Sequence, residues 1–267
     1  MAYQKSQSTF ITNNETKLLK ERISSIIGFS KELKFLVGFF YYSGIRELYD
    51  AIRSNPNLKL YVLAGLNVDK TIHGMVEYGE SGNLTGNKRQ DQFLQSVIKS
   101  INTDEFDTPD FYEQAKFFIR AIIDDKLIIR KTREPNHAKL YFFKIKDDLS
   151  QLKKSCFITG SSNFTRAGLA GQNEFNVEIS DYGTEEAEHY FDGLWEKAVR
   201  ITEDDAFKRR LTHVLTTNTL LAEPTPYEAF ALVLKTYIDM QKPKDLKEYV
   251  FKLLEEKGYR RYAYQVD

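Results

Sequence analysis

A strand, a helix and a second strand follow one another near the start of the chain, and this order restricts the possible folds. LKFLVGFFYYSG (33–44) is rich in aliphatic and aromatic residues, which is typical of a buried strand. IRELYDAIRS (45–54) has helical spacing and stops near Asn55 and Pro56, and LKLYVLAGL (58–66) is a second buried strand. This succession predicts a βαβ unit and therefore an α/β fold.

The composition limits the class of protein. The 267 residues suffice for one large domain, or for one domain with an appendage, and 42% hydrophobic residues is ordinary for a globular chain. The single cysteine, Cys156, excludes an internal disulfide and a cysteine-built zinc site, and it fits a cytoplasmic location. No segment has the length of a membrane span, and the first ten residues lack the apolar core of a signal peptide. We therefore expect no membrane partner.

Four more strand-like segments lie in the second half of the chain. They are KLIIRKT (126–132), AKLYFFKI (138–145), KSCFITG (154–160) and NEFNVEISD (173–181). The segment 108–125 before them is a predicted helix, and TEEAEHYFDGLWEKAVR (184–200) is an amphipathic helix with Thr184 as its predicted cap. Pro224 and Pro226 mark a change in composition beyond these segments.

Polar side chains gather at the ends of these strands. His137 and Lys139 are two residues apart, so they share one face of a strand. The next strand ends in GSSNFT, which places Ser161 and Asn163 at its tip, and Glu174 begins the strand after that. Because open α/β sheets build their sites at strand ends, we expect these five side chains to converge.

The five residue types fit the cleavage of a phosphodiester. This reaction needs a nucleophile, positive charge for the non-bridging oxygens and a proton for the leaving oxygen. Histidine can form a covalent intermediate, while lysine and asparagine neutralise and hydrogen-bond the phosphate. A carboxylate at Glu174 can accept the other ring N–H of His137 and fix its tautomer. The scheme uses no metal and no cofactor, and no carboxylate cluster has convincing ligand spacing.

The ordered motifs H-A-K (137–139), G-S-S-N-F-T (160–165) and N-E-F-N-V-E-I (173–179) resemble the signature of the phospholipase D superfamily, in its nuclease-like branch. The similarity covers roughly residues 8–200. It implies a phospholipase D-like mixed β-sheet flanked by helices on both faces. Lys144 stands where the family often has an acidic residue, which disfavours the lipid-cleaving members.

The resemblance also implies roles for the five residues. His137 is the expected nucleophile or general acid, and Lys139 and Asn163 are the expected phosphate ligands. Glu174 is expected to orient His137, and Ser161 to support the strand tip. Ordinary alternatives remain open at this stage. His137 could be a surface histidine, Asn163 could cap a turn, and Glu178 is a competing carboxylate on the same strand as Glu174.

Only one His-x-Lys motif is present, whereas the superfamily reaction uses two histidines. His73, His189 and His213 are not followed by a lysine two residues later. Either two chains form a homodimer that brings two His137 side chains together, or the domain binds without cleaving. We expect the homodimer.

Residues 1–200 are the predicted phosphodiesterase domain and residues 201–267 a helical extension. The closing segment KGYRRYAYQVD (257–267) resembles the lead-in to a helicase motor. We therefore expect the chain to be the N-terminal part of a longer DNA helicase or restriction-type protein, with a native C-terminus on a helical tail as the alternative. No P-loop motif is present.

The net charge is zero, so binding of DNA or another nucleic acid would need a local basic patch. The candidates near the site are Arg130, Lys131, Arg133, Lys153, Lys154 and Arg166. We expect a metal-independent DNA endonuclease, for which these cations could provide the phosphate-binding patch; solvated charges at strand edges are the alternative interpretation of the cluster. The alternatives are a catalytically silent DNA-docking module and, less favoured, a phospholipid-processing enzyme.

Overall fold

The computed structural model describes residues 10–14, 17–38, 40, 42–65, 90–91, 94–95, 109–149, 154–217 and 226–241. The chain divides into two compact units, Met1–Ala222 and Glu223–Asp267. The sequence also predicts a loop in the polar, Gly-rich segment 70–108, with a helix near QFLQSVIKSI (92–101). The glycine-rich part of that loop and the helicase-like segment 257–267 lie outside the described residues. So does most of the helix predicted over 92–101, of which residues 94–95 are described and helical.

One mixed sheet of eight strands forms the centre of the first unit. The strands are β1 (Phe10–Ile11), β2 (Ser30–Val37), β3 (Lys59–Ala64), β4 (Leu127–Lys131), β5 (Leu140–Ile145), β6 (Ser155–Gly160), β7 (Asn176–Ile179) and β8 (Val199–Arg200). Their order is β1-β7-β6-β5-β2-β3-β4-β8. The β2–β3 and β3–β4 pairs are parallel, and the other pairs are antiparallel. The parallel strands β2 and β3 are the two strands of the predicted strand–helix–strand unit.

Helices surround this sheet. Those of the first unit are α1 (Leu19–Ile27), α2 (Tyr42–Glu47), α3 (Tyr49–Arg53), α4 (Pro109–Ile123), α5 (Thr184–Lys197), α6 (Asp205–Thr217) and a π-helical turn (Ala167–Gly171), while α7 (Pro226–Gln241) belongs to the second unit. The single helix predicted over 45–54 is thus two short helices. The predicted cap at Thr184 is wrong, because Thr184 is the first helical residue and the left-handed Gly183, with φ of 66°, precedes it.

Strand alternation divides the core between the two faces of the sheet. Phe35 of β2 lies in the larger core, which α1 to α4 and α6 cover. Leu36 points to the other face, where Phe142 of β5 packs with Phe191 of α5. Successive side chains on a strand point to opposite faces, so each face needs its own helical cover. The predicted α/β fold, with a mixed sheet and helices on both faces, is confirmed.

The first unit extends beyond residue 200, where the sequence predicted the first domain to end. Phe207, Leu211 and Leu215 of α6 are buried in the larger core. Their spacing of about four residues puts them on one face of the helix, which is therefore held by hydrophobic packing. No helix in the described ranges is both long enough and apolar enough to cross a membrane.

Lys144 belongs to an ion-pair network between the sheet and α5. Its Nζ lies 2.8 Å from Glu188, which also binds Lys34 at 2.7 Å, and Lys34 lies 2.8 Å from Asp192. Burial opposes ionisation of Glu188, but its bonds to Lys144 and Lys34 outweigh burial and lower its pKa. Lys144, at the position where the phospholipase D superfamily often has an acidic residue, therefore has Glu188 as a structural partner.

Candidate active site

The five predicted site residues lie next to the ends of three neighbouring strands, β5, β6 and β7. His137 and Lys139 immediately precede β5, which pairs with β6 through Leu140 and Thr159. Asn163 follows β6, and Glu174 precedes β7. Because β5 and β7 are both antiparallel to β6, the start of β5, the end of β6 and the start of β7 coincide. The structure therefore brings together the three segments that the sequence predicted to converge.

Lys139 and His137 are in direct contact. The Nζ atom of Lys139 lies 2.8 Å from both ring nitrogens of His137 and 2.8 Å from its carbonyl oxygen. Lys139 is only 7% exposed, whereas the imidazole of His137 is open to solvent. The buried ammonium group of Lys139 thus contacts an imidazole ring of His137 that is accessible to a substrate.

The surroundings of this pair favour a neutral imidazole. Burial of part of the ring, and then the positive charge of Lys139, lower the pKa of His137 below its ordinary value. Burial also lowers the pKa of Lys139, while the carboxylate of Glu174 acts in the opposite direction and supports the ammonium form. A neutral imidazole carries a lone pair that can attack, and an ammonium beside it can bind an anion.

Gly38 lies directly after β2, and the absence of a side chain there leaves space for His137 and Asn163. A Cβ atom on Gly38 would lie 2.9 Å from Cδ2 of His137 and 3.1 Å from Oδ1 of Asn163, closer than ordinary van der Waals contact. Oδ1 of Asn163 is buried and has no hydrogen-bond partner among the described residues. The Nδ2 group of the same amide is a donor of the kind that can bind an anion.

A second glycine, Gly65 after β3, fixes the turn that carries His137. A Cβ on Gly65 would lie 1.7 Å from the carbonyl oxygen of Asn136, and the backbone N–H of Asn136 donates to the Gly65 carbonyl at 3.2 Å. The side chain of Asn136 accepts from the N–H of Ala138 at 2.8 Å. Sequence reasoning missed both glycines as site elements. Their position directly after buried strands is the signal that points to them.

Ser161 links the tip of β6 to Glu174. The hydroxyl of Ser161 donates to the carboxylate of Glu174 and accepts from the backbone N–H of Phe175 at 3.0 Å. The backbone N–H of Ser161 donates to the carbonyl of Phe175 at 3.1 Å. These bonds hold Glu174 at the site and give Ser161 the supporting position that the sequence predicted.

Buried polar groups also hold the end of β6 in place through hydrogen bonds to Ser162. The amide of Asn176 donates to the hydroxyl of Ser162 at 2.9 Å and accepts from its backbone N–H at 3.3 Å. The phenol of Tyr141 donates to the carbonyl of Ser162 at 2.8 Å. Asn176 and Ser162 are fully buried. Sequence reasoning did not single out any of these three residues, since no motif distinguishes a buried supporting group from a core position.

The structure separates the two carboxylates that compete for the site. Glu178 accepts two hydrogen bonds from the guanidinium of Arg22, at 2.6 and 2.8 Å, and is buried. It points away from the strand ends and ties β7 to α1. Glu174, next to Ser161 and electrostatically coupled to Lys139, is the carboxylate at the site. The bond from His137 to Glu174 that the sequence suggested stays a prediction.

The predicted basic patch is largely absent around β4. The guanidinium of Arg130 pairs with Glu203 in two hydrogen bonds, at 2.5 and 2.7 Å, donates to the carbonyl of Trp195 at 2.7 Å, and lies 4.4 Å from that indole ring. Lys131 is buried and donates to the carbonyl of Gly65 at 2.8 Å. Both side chains are thus occupied by internal partners, which argues against a DNA-binding role for either.

Two other predicted cations are at the surface. Arg133 is exposed and donates to the carbonyl of Lys197 at 2.7 Å. Arg166 follows Asn163 by three residues and its side chain is 69% exposed. Lys154 lies at the start of β6, the end opposite the site, and Lys153 lies outside the described residues. Arg166, whose Nε lies 3.8 Å from Glu47, is the exposed predicted cation nearest in sequence to Asn163.

Within the described ranges, no three His, Cys, Asp or Glu side chains gather into a group that could hold a metal ion. The constellation at the strand ends instead consists of one imidazole, one ammonium, one amide and one carboxylate. It is chemically suited to bind a phosphate group and to attack its phosphorus atom.

Solved structures that are similar to this chain include those of three proteins. Nuc from Salmonella typhimurium, a phospholipase D family member, is 14% identical, with a TM-score of 0.34 over 67% of this chain and 88% of that one. NucT from Helicobacter pylori is 15% identical, with a TM-score of 0.35 over 68% and 90%. Phosphatidylserine synthase from Haemophilus influenzae is 11% identical, with a TM-score of 0.43 over 77% and 43%.

The family of the Salmonella protein is the one that the sequence motifs predicted. No family model matches the chain, and no curated protein matches it. All three TM-scores lie below 0.5, so the functional argument rests on the chain's own residues and not on these similarities.

Proposed function

We propose that this protein is a phosphodiesterase that cleaves DNA or another nucleic acid through a phosphohistidine intermediate. The observation that carries the proposal is the contact of the Lys139 ammonium with both ring nitrogens of His137, at 2.8 Å, together with the position of His137 and Asn163 against Gly38. A nucleophile and two anion-binding groups are thereby supplied by two separate strand ends. Glu174, held by Ser161, supplies a negative charge that favours the ammonium form of Lys139 and so opposes the effect of burial on its pKa.

The first step is attack on the bound phosphate. Lys139 and the Nδ2 donor of Asn163 bind the non-bridging oxygens, and a ring nitrogen of the neutral His137 attacks phosphorus. The P–N bond forms as the P–O bond to the leaving oxygen breaks. The leaving oxygen must receive a proton, and this chain offers one His-x-Lys motif. We assign that proton to His137 of the partner subunit in a homodimer, which starts the reaction as the imidazolium while the attacking His137 is neutral.

The second step is hydrolysis of the intermediate. The histidine that gave up its proton takes one from water, and the water oxygen attacks phosphorus as the P–N bond breaks. Both imidazoles then regain their starting protonation states. The scheme needs no metal, and it needs two copies of His137.

The test is cleavage of DNA and of a small aryl phosphodiester in EDTA, at protein concentrations that favour a dimer. Wild type, His137→Ala and His213→Ala are compared, the last because His213 is an exposed histidine of α6. Wild type and His213→Ala should cleave both substrates, and His137→Ala should cleave neither. DNA binding without turnover by the wild type would refute the proposal and favour a docking module.

An experiment that mixes wild-type and His137→Ala subunits distinguishes one active site shared by two subunits from two independent active sites. If each turnover needs two His137 side chains, equal amounts of wild-type and His137→Ala chains that exchange subunits leave about a quarter of the dimers active. Independent subunits would instead retain about half of the activity of an all-wild-type sample. The second result would overturn the homodimeric site while leaving the chemistry of His137 in place.

A further inference from the structure

A cavity of about 130 Å³ lies between α3, α4 and the first residues of β3 and β4. Its walls include Leu58, Leu60, Phe118 and Leu127, each at most 4% exposed. An apolar cavity of about 150 Å³ with similar walls can hold a benzene ring. The cavity therefore has room for one small organic group, and not for a drug-sized molecule.

The cavity is separate from the proposed phosphate site. β3 starts beside the cavity, where Leu60 lines it, and ends at Ala64. The next residue is Gly65, whose carbonyl accepts from the backbone N–H of Asn136 in the turn that carries His137. A strand of this length spans about 20 Å. A molecule in the cavity would thus leave the catalytic residues accessible.

The polar part of the cavity lining is mostly cationic. Arg53, Arg120 and Lys126 line it and are exposed, and Asp124 is its one acidic lining residue. Arg53 donates to the hydroxyl of Tyr49 at 3.0 Å. Within the part of the chain that the structure describes, none of the three cations has a carboxylate oxygen within 4 Å. The lining therefore combines apolar walls with positive charge that no internal ion pair uses.

We propose that this cavity binds a small organic anion with a single apolar ring, of which an aryl carboxylate is the simplest example. The ring fills the space between the apolar walls, and the carboxylate lies among Arg53, Arg120 and Lys126. Ligand sites commonly join apolar walls to a few polar groups that fix orientation, and a guanidinium can donate two parallel hydrogen bonds to one carboxylate. The inference goes beyond the proposed function and does not depend on it.

Two simpler ligands complement the cavity less well. A neutral hydrocarbon would fill the apolar walls, but it would leave the excess positive charge without a partner. An inorganic anion would meet the cations, but it would leave the apolar walls in contact with water. An anion that carries a ring satisfies both parts of the lining.

The test is a titration with 4-fluorobenzoate followed by ¹⁹F NMR, with 4-fluorobenzyl alcohol as the neutral probe of the same ring. The wild type should bind the benzoate with a Kd of about 0.1–1 mM and the alcohol more weakly. The double replacement of Arg120→Gln and Lys126→Met should weaken binding of the benzoate about 2- to 30-fold, because it removes two charges. It should leave the affinity for the alcohol unchanged.

Ala121→Leu tests the location, since Ala121 lines the cavity and is 8% exposed. The larger side chain fills the space, so this variant should lose binding of both probes without a lower Tm. Lys154→Met is the matched control, because Lys154 is an exposed cation directly before β6, three strands away from β3 in the sheet. It should bind both probes like the wild type.

Three results would overturn the proposal. The first is a wild type that shows no saturable binding of 4-fluorobenzoate up to about 10 mM. The second is equal affinity for the benzoate and the alcohol, which would mean that the cations do not recognise an anion. The third is benzoate binding that survives Ala121→Leu, which would place the bound anion outside the cavity.

Discussion

Replacing Gly38 with alanine is the sharpest single perturbation of the site. The added Cβ would stand 2.9 Å from Cδ2 of His137 and 3.1 Å from Oδ1 of Asn163. Gly38 has no positive φ, since Gly183 is the one described glycine in that region, so alanine brings no backbone strain. The substitution therefore acts by crowding alone, and it crowds the two side chains that we assign to the phosphate.

The expected size of the effect follows from these distances. Carbon atoms pack best at about 3.5–4.0 Å, so the imidazole must retreat by roughly 0.6–1 Å. A misplacement of about 1 Å can cost about 100-fold in rate, which corresponds to about 2.7 kcal/mol of transition-state stabilisation. The ring of His137 is exposed and can move toward solvent, so the overpacking penalty stays small. Loss of glycine's freedom in the unfolded chain offsets it by about 0.4–1 kcal/mol.

The assay measures kcat/KM on a small aryl phosphodiester together with the free energy of unfolding in urea. Gly38→Ala should lose about 100-fold in kcat/KM while its unfolding free energy changes by less than about 1 kcal/mol. Gly193→Ala is the control, because nothing lies within 4 Å of that position in the helix α5. It should keep full activity and gain about 0.5–1 kcal/mol. Activity of Gly38→Ala within two-fold of the wild type would refute the juxtaposition of His137 and Asn163.

Three further predictions concern groups in and around the site. Glu178→Ala removes the buried carboxylate that binds the partly exposed Arg22, so it should lower the free energy of unfolding by about 1.5–3 kcal/mol in urea titrations while the active fraction keeps its kcat. Arg130→Ala should likewise destabilise the fold, by about 3 kcal/mol, and leave the salt dependence of DNA binding unchanged, since its charge is internally paired. Burial and the Lys139 charge both lower the pKa of His137, so Lys139→Met, which removes the charge, should raise that pKa toward 6.5 in an NMR titration; an unchanged or lower value would contradict the contact.

The sequence predicted the sheet well because burial leaves a strong pattern. The strand segments around Phe35, Val62 and Phe142 are apolar on both faces, and such runs indicate strands covered on two sides. The strand-end position of His137, Lys139, Asn163 and Glu174 followed from the motif order. The helix boundaries were less certain, because short helices such as α2 and α3 are set by packing and not by caps.

Other features could not be read from the chain alone. Arg130 and Lys131 look like exposed cations in a sequence, and only the fold supplies Glu203 and the Gly65 carbonyl as their internal partners. The position of Gly38 after a buried strand is visible in the sequence, but its close approach to His137 and Asn163, roughly 100 residues or more along the chain, is not. Such long-range contacts depend on tertiary structure, which local propensity does not contain.

The most direct test of the central claim is the stereochemical course at phosphorus. A chiral phosphorothioate diester is cleaved in ¹⁸O-labelled water with EDTA present, and the configuration of the product is determined. Two successive in-line displacements, the first by His137 and the second by water, predict overall retention. Inversion would mean a single direct attack by water, and it would contradict the phosphohistidine intermediate.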